Sequence, residues 1–148
     1  MSDPDRSTYV YVTYIRTTSE KLWSALTTPE FIKKYWFGMD VDCDFKAGSP
    51  WKLSFEDGRV ADDGSILESD PPRRLVIRWQ NQWKPDMKAE GEARCTMELE
   101  PLDGAVKLTV THEMARPDSK FIAAVAGGWP KILSNLKSLV ETGAIVIA

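Results

Sequence analysis

Hydrophobic and polar positions along the chain follow strand-like and helix-like patterns in turn, and each pattern predicts its own secondary structure. Tyr9 to Arg16 (YVYVTYIR) is rich in β-branched and aromatic residues, which predicts a strand. Leu22, Trp23 and Leu26 then recur at helical spacing, so a helix is expected directly after this strand. Pro29 ends that helix and is placed to begin a second short one, because proline is favoured in a first helical turn.

Between Met39 and Met114 the period becomes two, and turn residues separate short segments. This pattern predicts a meander of about six antiparallel strands, each with one apolar and one polar face. Gly64 falls inside one of these strands and predicts a bulge or bend in it. His112, the only histidine, falls on the apolar face of the last strand together with Val110.

A helical period returns between Asp118 and Thr142, and one apolar stripe runs along the segment. The stripe consists of Ile122, Val125, Trp129, Ile132, Leu133, Leu136, Leu139 and Val140. Pro130 has no N–H, and its ring meets the carbonyl one turn earlier in a helix interior. The pattern therefore predicts one long C-terminal helix that is kinked or broken near Gly127-Pro130 and ends at Gly143.

Composition and charge restrict the classes of function. A chain of 148 residues with 43% hydrophobic and 28% charged residues is typical of one soluble globular domain, here spanning 1–148. Its net charge of -3 argues against a nucleic-acid partner. No uncharged run approaches the roughly 20 residues of a membrane-spanning helix, so no membrane partner is expected.

The two cysteines, Cys43 and Cys95, lie far apart, and neither has a second Cys or His at metal-ligand spacing. We expect free thiols in a reducing cytoplasm, since the first residues also lack the pattern of a secretory signal. Asp40, Asp42 and Asp44 begin like a calcium loop, but the glycine and glutamate that such a loop needs are absent, which excludes calcium. The sequence thus predicts no metal site and no cofactor.

Several segments, spread over nearly the whole chain, resemble one branch of the START-like (SRPBCC) superfamily. They are Leu22–Thr27 (LWSALT), Pro29–Phe37 (PEFIKKYWF), the Gly48 turn before Trp51, Gly64–Trp79 (GSILESDPPRRLVIRW), Lys107–Glu113 (KLTVTHE) and Gly128–Leu136 (GWPKILSNL). This branch is named after the activator of the heat-shock protein 90 ATPase. The resemblance implies an α+β helix-grip fold, in which a curved antiparallel sheet wraps around the long C-terminal helix and leaves a cavity.

Function does not follow from this fold alone, because it serves lipid carriers, receptors, cyclases and co-chaperones alike. Three hypotheses remain: binding of a small hydrophobic or aromatic molecule, a co-chaperone-like protein contact, and a cofactor-free enzyme of cyclase or hydrolase type. No catalytic motif is visible, which favours binding over catalysis. The residues expected to face a ligand are Trp36, Phe37, Trp51, Phe55, Trp79, Asn81, Met97, His112, Met114, Phe121, Val125, Trp129 and Leu133.

Two polar residues in this set have alternative roles. His112 is either a neutral imidazole satisfied within the core or a hydrogen-bonding group for a ligand. Asn81 either orients a ligand or is solvated near a strand end. The apolar tail 144–148 likewise packs on its own domain or joins a second subunit, and the latter would make a homodimer.

Overall fold

Residues 5–148 are described by the computed structural model, and they form seven strands and four helices. The strands are β1 (Ser7–Ile15), β2 (Asp40–Asp42), β3 (Pro50–Ser54), β4 (Val60–Asp70), β5 (Arg74–Asn81), β6 (Ala93–Leu102) and β7 (Ala105–Met114). The helices are α1 (Ser19–Thr27), α2 (Pro29–Tyr35), α3 (Pro85–Lys88) and α4 (Lys120–Thr142). The order of elements confirms the prediction, apart from the short helix α3, which the sequence pattern did not indicate.

All seven strands belong to one antiparallel sheet with the order β1-β7-β6-β5-β4-β3-β2. Strands β2 to β7 form the predicted meander, and β1 joins it by pairing with β7, where Tyr9 lies opposite His112. The sheet curves around α4, which confirms the helix-grip architecture. Because the strands alternate in burial, one face of the sheet packs against α4 and carries most of the core.

Helix α4 continues as one element through Gly127-Pro130, so of the two predicted alternatives the full break does not occur. Pro130 removes one backbone donor, and Ser134 Oγ donates to the carbonyl oxygen of Pro130 at 2.6 Å. Trp129 and Leu133 flank the proline and are almost completely buried. Their packing against the sheet opposes the local cost of an internal proline, which is about 3 kcal/mol.

Strand β4 contains the predicted irregularity at two places, Ala61 on the side of β3 and Leu67 on the side of β5. Leu53 pairs with Asp62, whereas the next residue of β3 pairs with Val60, which leaves Ala61 as an extra residue. Both Ala61 and Asp62 are buried as a result, although they are adjacent in sequence. The bulge brings Ala61 to the inner face beside Asp62, which shares that face with Gly64 and Ile66 by alternation.

Gly64 lies on the inner face between two tryptophans, with Trp51 opposite it on β3 and Trp79 opposite it on β5. The two indole rings meet across it, with ring centroids 4.3 Å apart. A Cβ atom at this position would collide with the carbonyl oxygen of Arg78. Only glycine therefore allows this close approach of β4 and β5.

The C-terminal tail lies against its own helix α4, which is the first of the two predicted arrangements. Asn135 is fully buried, and its Oδ1 accepts hydrogen bonds from the backbone N–H groups of Val146 at 2.9 Å and Ile147 at 2.8 Å. Its Nδ2 donates to the carbonyl oxygen of Ile147 at 2.9 Å. In the described part of the chain, no helix is long and apolar enough to cross a membrane.

Candidate ligand-binding cavity

A cavity of about 420 Å³ lies between the inner face of the sheet and α4. Its walls come from the end of α2, strands β3 to β5, the segment 83–87 and the first half of α4. The lining residues are Trp36, Phe37, Met39, Leu53, Phe55, Ala61, Asp62, Trp79, Asn81, Trp83, Lys84, Met87, Phe121, Ala124, Val125, Gly128, Trp129 and Ile132. Aromatic and aliphatic side chains dominate this lining, and Asp62, Asn81 and Lys84 are its polar members.

Three tryptophans form one continuous wall of the cavity. The ring of Trp36 lies 5.9 Å from that of Trp79 and 5.2 Å from that of Trp129, measured between centroids. Trp79 and Trp129 are also 5.9 Å apart in a T-shaped arrangement. Because each ring is fixed by the other two, this wall is preorganised rather than free to collapse.

Phe37 and Trp83 stand at the rim, where 45% of each residue is exposed. Trp83 packs edge-on against Phe55 with centroids 5.1 Å apart. Phe37 has a φ of 49°, which is unusual for a residue with a bulky side chain and marks a tight turn after α2. The rim is thus aromatic on both sides.

The structure divides the predicted ligand-facing residues into two sets. Those that line the cavity are Trp36, Phe37, Phe55, Trp79, Asn81, Phe121, Val125 and Trp129. Those that lie in the packed core outside its lining are Trp51, Met97, His112, Met114 and Leu133. In this second set Leu133 belongs to α4 and the other four lie on the inner face of the sheet, but none of the five forms part of the cavity lining.

His112 illustrates this separation. It is completely buried, and its ring centroid lies 4.9 Å from Trp79 and 5.1 Å from Phe121. Its Nδ1 accepts a hydrogen bond from Trp129 Nε1 at 3.1 Å, so the ring proton is on Nε2. Nε2 has no hydrogen-bond partner within the described chain. Burial lowers the pKa of His112 to about 3, which keeps the imidazole neutral.

Asp62 and Lys84 are the polar residues of the cavity that sequence reasoning missed, and Asp62 is the buried one. On the inner face it sits between Leu53 of β3 and Asn81 of β5, and only 7% of it is exposed. Asn81 Nδ2 donates to Asp62 Oδ1 at 3.1 Å, and Asn81 Oδ1 accepts from the backbone N–H of Lys84 at 2.9 Å. Alternation along β4 puts Asp62 on the same face as Gly64 and Ile66, which was the available signal, but a charged residue is seldom buried and was not expected there.

The environment of Asp62 disfavours its charged form. Burial raises its pKa to about 6, and the neighbouring Asp63 acts in the same direction. The Asn81 amide and the Trp79 indole N–H oppose the rise. Trp79 Nε1 nevertheless makes no hydrogen bond of normal geometry, so its influence on Asp62 is that of a nearby dipole. Asp62 is therefore a carboxylate that ionises close to neutrality inside a largely apolar cavity.

A sequence profile of the activator of Hsp90 ATPase homolog 1-like proteins matches residues 16–141. The chain belongs to this family. The finding confirms the START-like resemblance drawn from the sequence motifs. No curated protein matches the chain.

Solved structures of similar proteins support the same fold. Protein MLL2253 from Mesorhizobium loti is 26% identical, with 90% of this chain and 96% of that chain covered and a TM-score of 0.78. ChR145 from Cytophaga hutchinsonii is 30% identical, with coverages of 90% and 92% and a TM-score of 0.70. The Aha1 dimer from Colwellia psychrerythraea is 22% identical, with coverages of 93% and 98% and a TM-score of 0.75.

In this family member the segment containing α3 closes one side of the cavity and is fastened to α4. Glu90 accepts hydrogen bonds from Ser119 Oγ at 2.7 Å and from the backbone N–H groups of Lys120 at 2.8 Å and Phe121 at 3.1 Å. Desolvation raises the pKa of Glu90, but these hydrogen bonds outweigh it and leave the pKa below its ordinary value. A carboxylate at the start of α4 also interacts favourably with the helix dipole.

Proposed function

We propose that this protein binds a small hydrophobic or aromatic molecule in the cavity between the sheet and α4. The observation that carries the proposal is the open space of about 420 Å³ beside a preorganised wall of tryptophan rings. Small-molecule sites in proteins usually enclose roughly 300–1,000 Å³ and combine an apolar lining with a few fixed polar groups. Transfer of an apolar ligand from water to this lining supplies the driving force.

The predicted residues that line the cavity are proposed to contact the ligand, and the others to support them from behind. Trp36, Trp79 and Trp129 offer ring faces and edges, while Phe37 and Phe55 flank the entrance. The buried residues behind this wall, including Trp51 and His112, hold the rings in place. Free thiols at both cysteines support a cytoplasmic location, where such a carrier or binding module would meet its ligand.

The proposal is tested with 2-(1-naphthyl)ethanol, a neutral bicyclic probe. Native mass spectrometry and thermal unfolding are expected to show a one-to-one complex and a melting temperature that rises with probe concentration. At about 100 times the dissociation constant, binding adds about 2.7 kcal/mol to the free energy of unfolding. An unchanged melting temperature and a bare protein mass, at probe concentrations up to its solubility, would contradict the proposal.

A matched pair of variants on one helix localises the site. Val125 lines the cavity, and Val125→Trp should fill part of it and weaken the probe's binding. Ala123 is exposed on the same helix and lies outside the lining, so Ala123→Trp should bind the probe as the wild type does. Equal affinities of the two variants would place the binding elsewhere on the molecule.

A second candidate function, a co-chaperone-like protein contact, is favoured by the family description alone. It predicts that the purified protein stimulates the ATPase activity of Hsp90 from the same cell. Because such a contact uses the surface, Val125→Trp should leave that stimulation unchanged. Stimulation together with failure of all apolar probes would favour this candidate over ligand binding.

We also propose that the chain forms a homodimer through the free edge of β1. The sheet order leaves this edge unpaired, and Val10, Val12 and Tyr14 are 54%, 43% and 54% exposed on it. The solved Aha1 structure from Colwellia psychrerythraea is a dimer, which supports the proposal. Light scattering is expected to give twice the monomer mass, and Val12→Lys to abolish it, whereas Leu102→Lys at the exposed β6–β7 turn should not.

A further inference from the structure

One carboxylate in the cavity has no compensating positive charge. Asp62 accepts a hydrogen bond from Asn81 Nδ2 at its Oδ1, and the indole N–H of Trp79 also acts on the carboxylate, but both of these groups are neutral. No Lys or Arg between residues 5 and 148 forms an ion pair with it. A buried charge without a partner is unfavourable, so this group is costly for a cavity that serves only apolar molecules.

The one basic residue of the cavity wall does not neutralise this charge. Lys84 is exposed at the rim, and its Nζ lies 4.3 Å from the centroid of the Trp83 ring instead of near Asp62. This contact shows that an aromatic ring of the rim already accepts an ammonium group. The cavity therefore combines an unpaired carboxylate with electron-rich ring faces, and this combination favours organic cations over anions.

We propose that the ligand of this cavity carries a protonated amine on its hydrophobic body and that Asp62 binds this amine. The inference rests on the proposed function and narrows its ligand class. The ammonium group would donate to the Asp62 carboxylate in a charge-assisted hydrogen bond, while the hydrophobic body lies against Trp36, Trp79 and Trp129. Asn81 holds the carboxylate in place through its hydrogen bond and is in turn fixed by the backbone of Lys84.

The test compares 2-(1-naphthyl)ethylamine with 2-(1-naphthyl)ethanol, which differ at one polar group. In titration calorimetry at pH 7.5, the amine is expected to bind the wild type at least about tenfold more tightly than the alcohol, as a hydrogen bond between charged groups implies. Asp62→Asn keeps the shape of the side chain and should remove this preference. It should leave the affinity for the alcohol nearly unchanged.

Asp63 provides the matched control, because it lies on the opposite face of β4 and accepts a hydrogen bond from Gln82 Nε2 at 2.9 Å. Asp63→Asn removes the same charge from the same strand, so it controls for the effect of the protein's overall charge on the affinity for a cation. Preference for the amine should persist in this variant. Equal loss of preference in both variants would mean that general electrostatics, and not contact with Asp62, select the amine, and would overturn the inference.

The dependence on pH gives a second readout. The groups that act on Asp62 are Asp63 on its own strand and Trp79 and Asn81 on β5, and Lys84 is the one basic residue of the same cavity lining. Affinity for the amine should fall as the pH drops below about 6, since Asp62 then takes up a proton. Affinity for the alcohol should stay level.

The outcomes separate this inference from the function on which it rests. Equal affinity of the wild type for amine and alcohol overturns the inference and leaves the proposed function intact. Absence of binding by both probes overturns the proposed function and the inference together. Preference for the amine that disappears only in Asp62→Asn establishes both.

Discussion

Trp129 on α4 donates a hydrogen bond from its indole Nε1 to His112 Nδ1 on β7, at 3.1 Å, where both residues are buried. This bond ties the long helix to the sheet at the back of the cavity. It also fixes the orientation of a ring that forms part of the cavity wall. The histidine is thus a positioning residue for Trp129 in this arrangement, and the proposed ligand meets the tryptophan instead.

The contribution of this bond is measurable against a matched tryptophan. Trp129→Phe removes the donor and leaves His112 Nδ1 unsatisfied, whereas Trp79→Phe removes an indole N–H that has no hydrogen-bond partner. Both rings are almost fully buried and line the cavity. We expect Trp129→Phe to lower the free energy of unfolding by about 1–3 kcal/mol more than Trp79→Phe, as measured by urea unfolding. Equal losses would show that the bond adds no stability.

Burial of neutral His112 predicts a loss of stability in acid. Its pKa in the folded state is about 3, below the 6.5 expected of an unperturbed histidine, so the unfolded chain binds more protons between these values. This group therefore reduces stability progressively as the pH falls from about 6.5 toward 3. His112→Asn retains an acceptor for Trp129 and should flatten the difference in unfolding free energy between pH 7 and pH 5. An unchanged pH profile would mean that His112 titrates normally.

Asp62 predicts a pH dependence of opposite sign. Its pKa is raised from 3.8 to about 6, so the folded chain binds more protons than the unfolded chain in that range, and this group lowers stability as the pH rises from about 4 to 6. The free energy of unfolding of Asp62→Asn should therefore rise relative to that of the wild type across this range, by up to about 3 kcal/mol at pH 7. Asp63→Asn should show a much smaller gain, because the charge of Asp63 is the smallest of the causes that act on the pKa of Asp62. Chemical unfolding of the three proteins between pH 4 and 7 measures the effect.

The close contact at Gly64 predicts a severe effect from one added methyl group. Gly64→Ala would place Cβ against the carbonyl oxygen of Arg78 and force β4 and β5 apart, at an expected cost of about 3 kcal/mol or more. Gly127→Ala is the control, because a Cβ there meets nothing within 4 Å and the residue lies inside α4. That change should stabilise the protein by roughly 0.5–1 kcal/mol. Thermal unfolding of both variants measures the contrast.

The fold could be predicted from the sequence because local patterns of residues indicate its strands and helices. Alternation marked the strands of the meander, a helical stripe marked α4, and Gly143 marked its end in the left-handed conformation. The segment 85–88 gave no such signal, since a single turn of helix is too short to show a period. Pro130 predicted a kink or a break in α4, and the break does not occur. Burial of the neighbouring residues outweighs the backbone hydrogen bond that proline cannot make.

What the sequence by itself determined is therefore which face of each strand and helix is apolar, and hence the core and the aromatic character of the space beside α4. Only the tertiary structure decided which of those residues reach the open cavity. His112 and Asn81 lie on the same inner face, yet ring packing buries the first behind Trp129, while the second reaches the cavity wall. Asp62 shares a face with Gly64 and Ile66 by simple alternation, but only the packing of β4 between β3 and β5 decides that this charged residue is buried beside the cavity and not solvated.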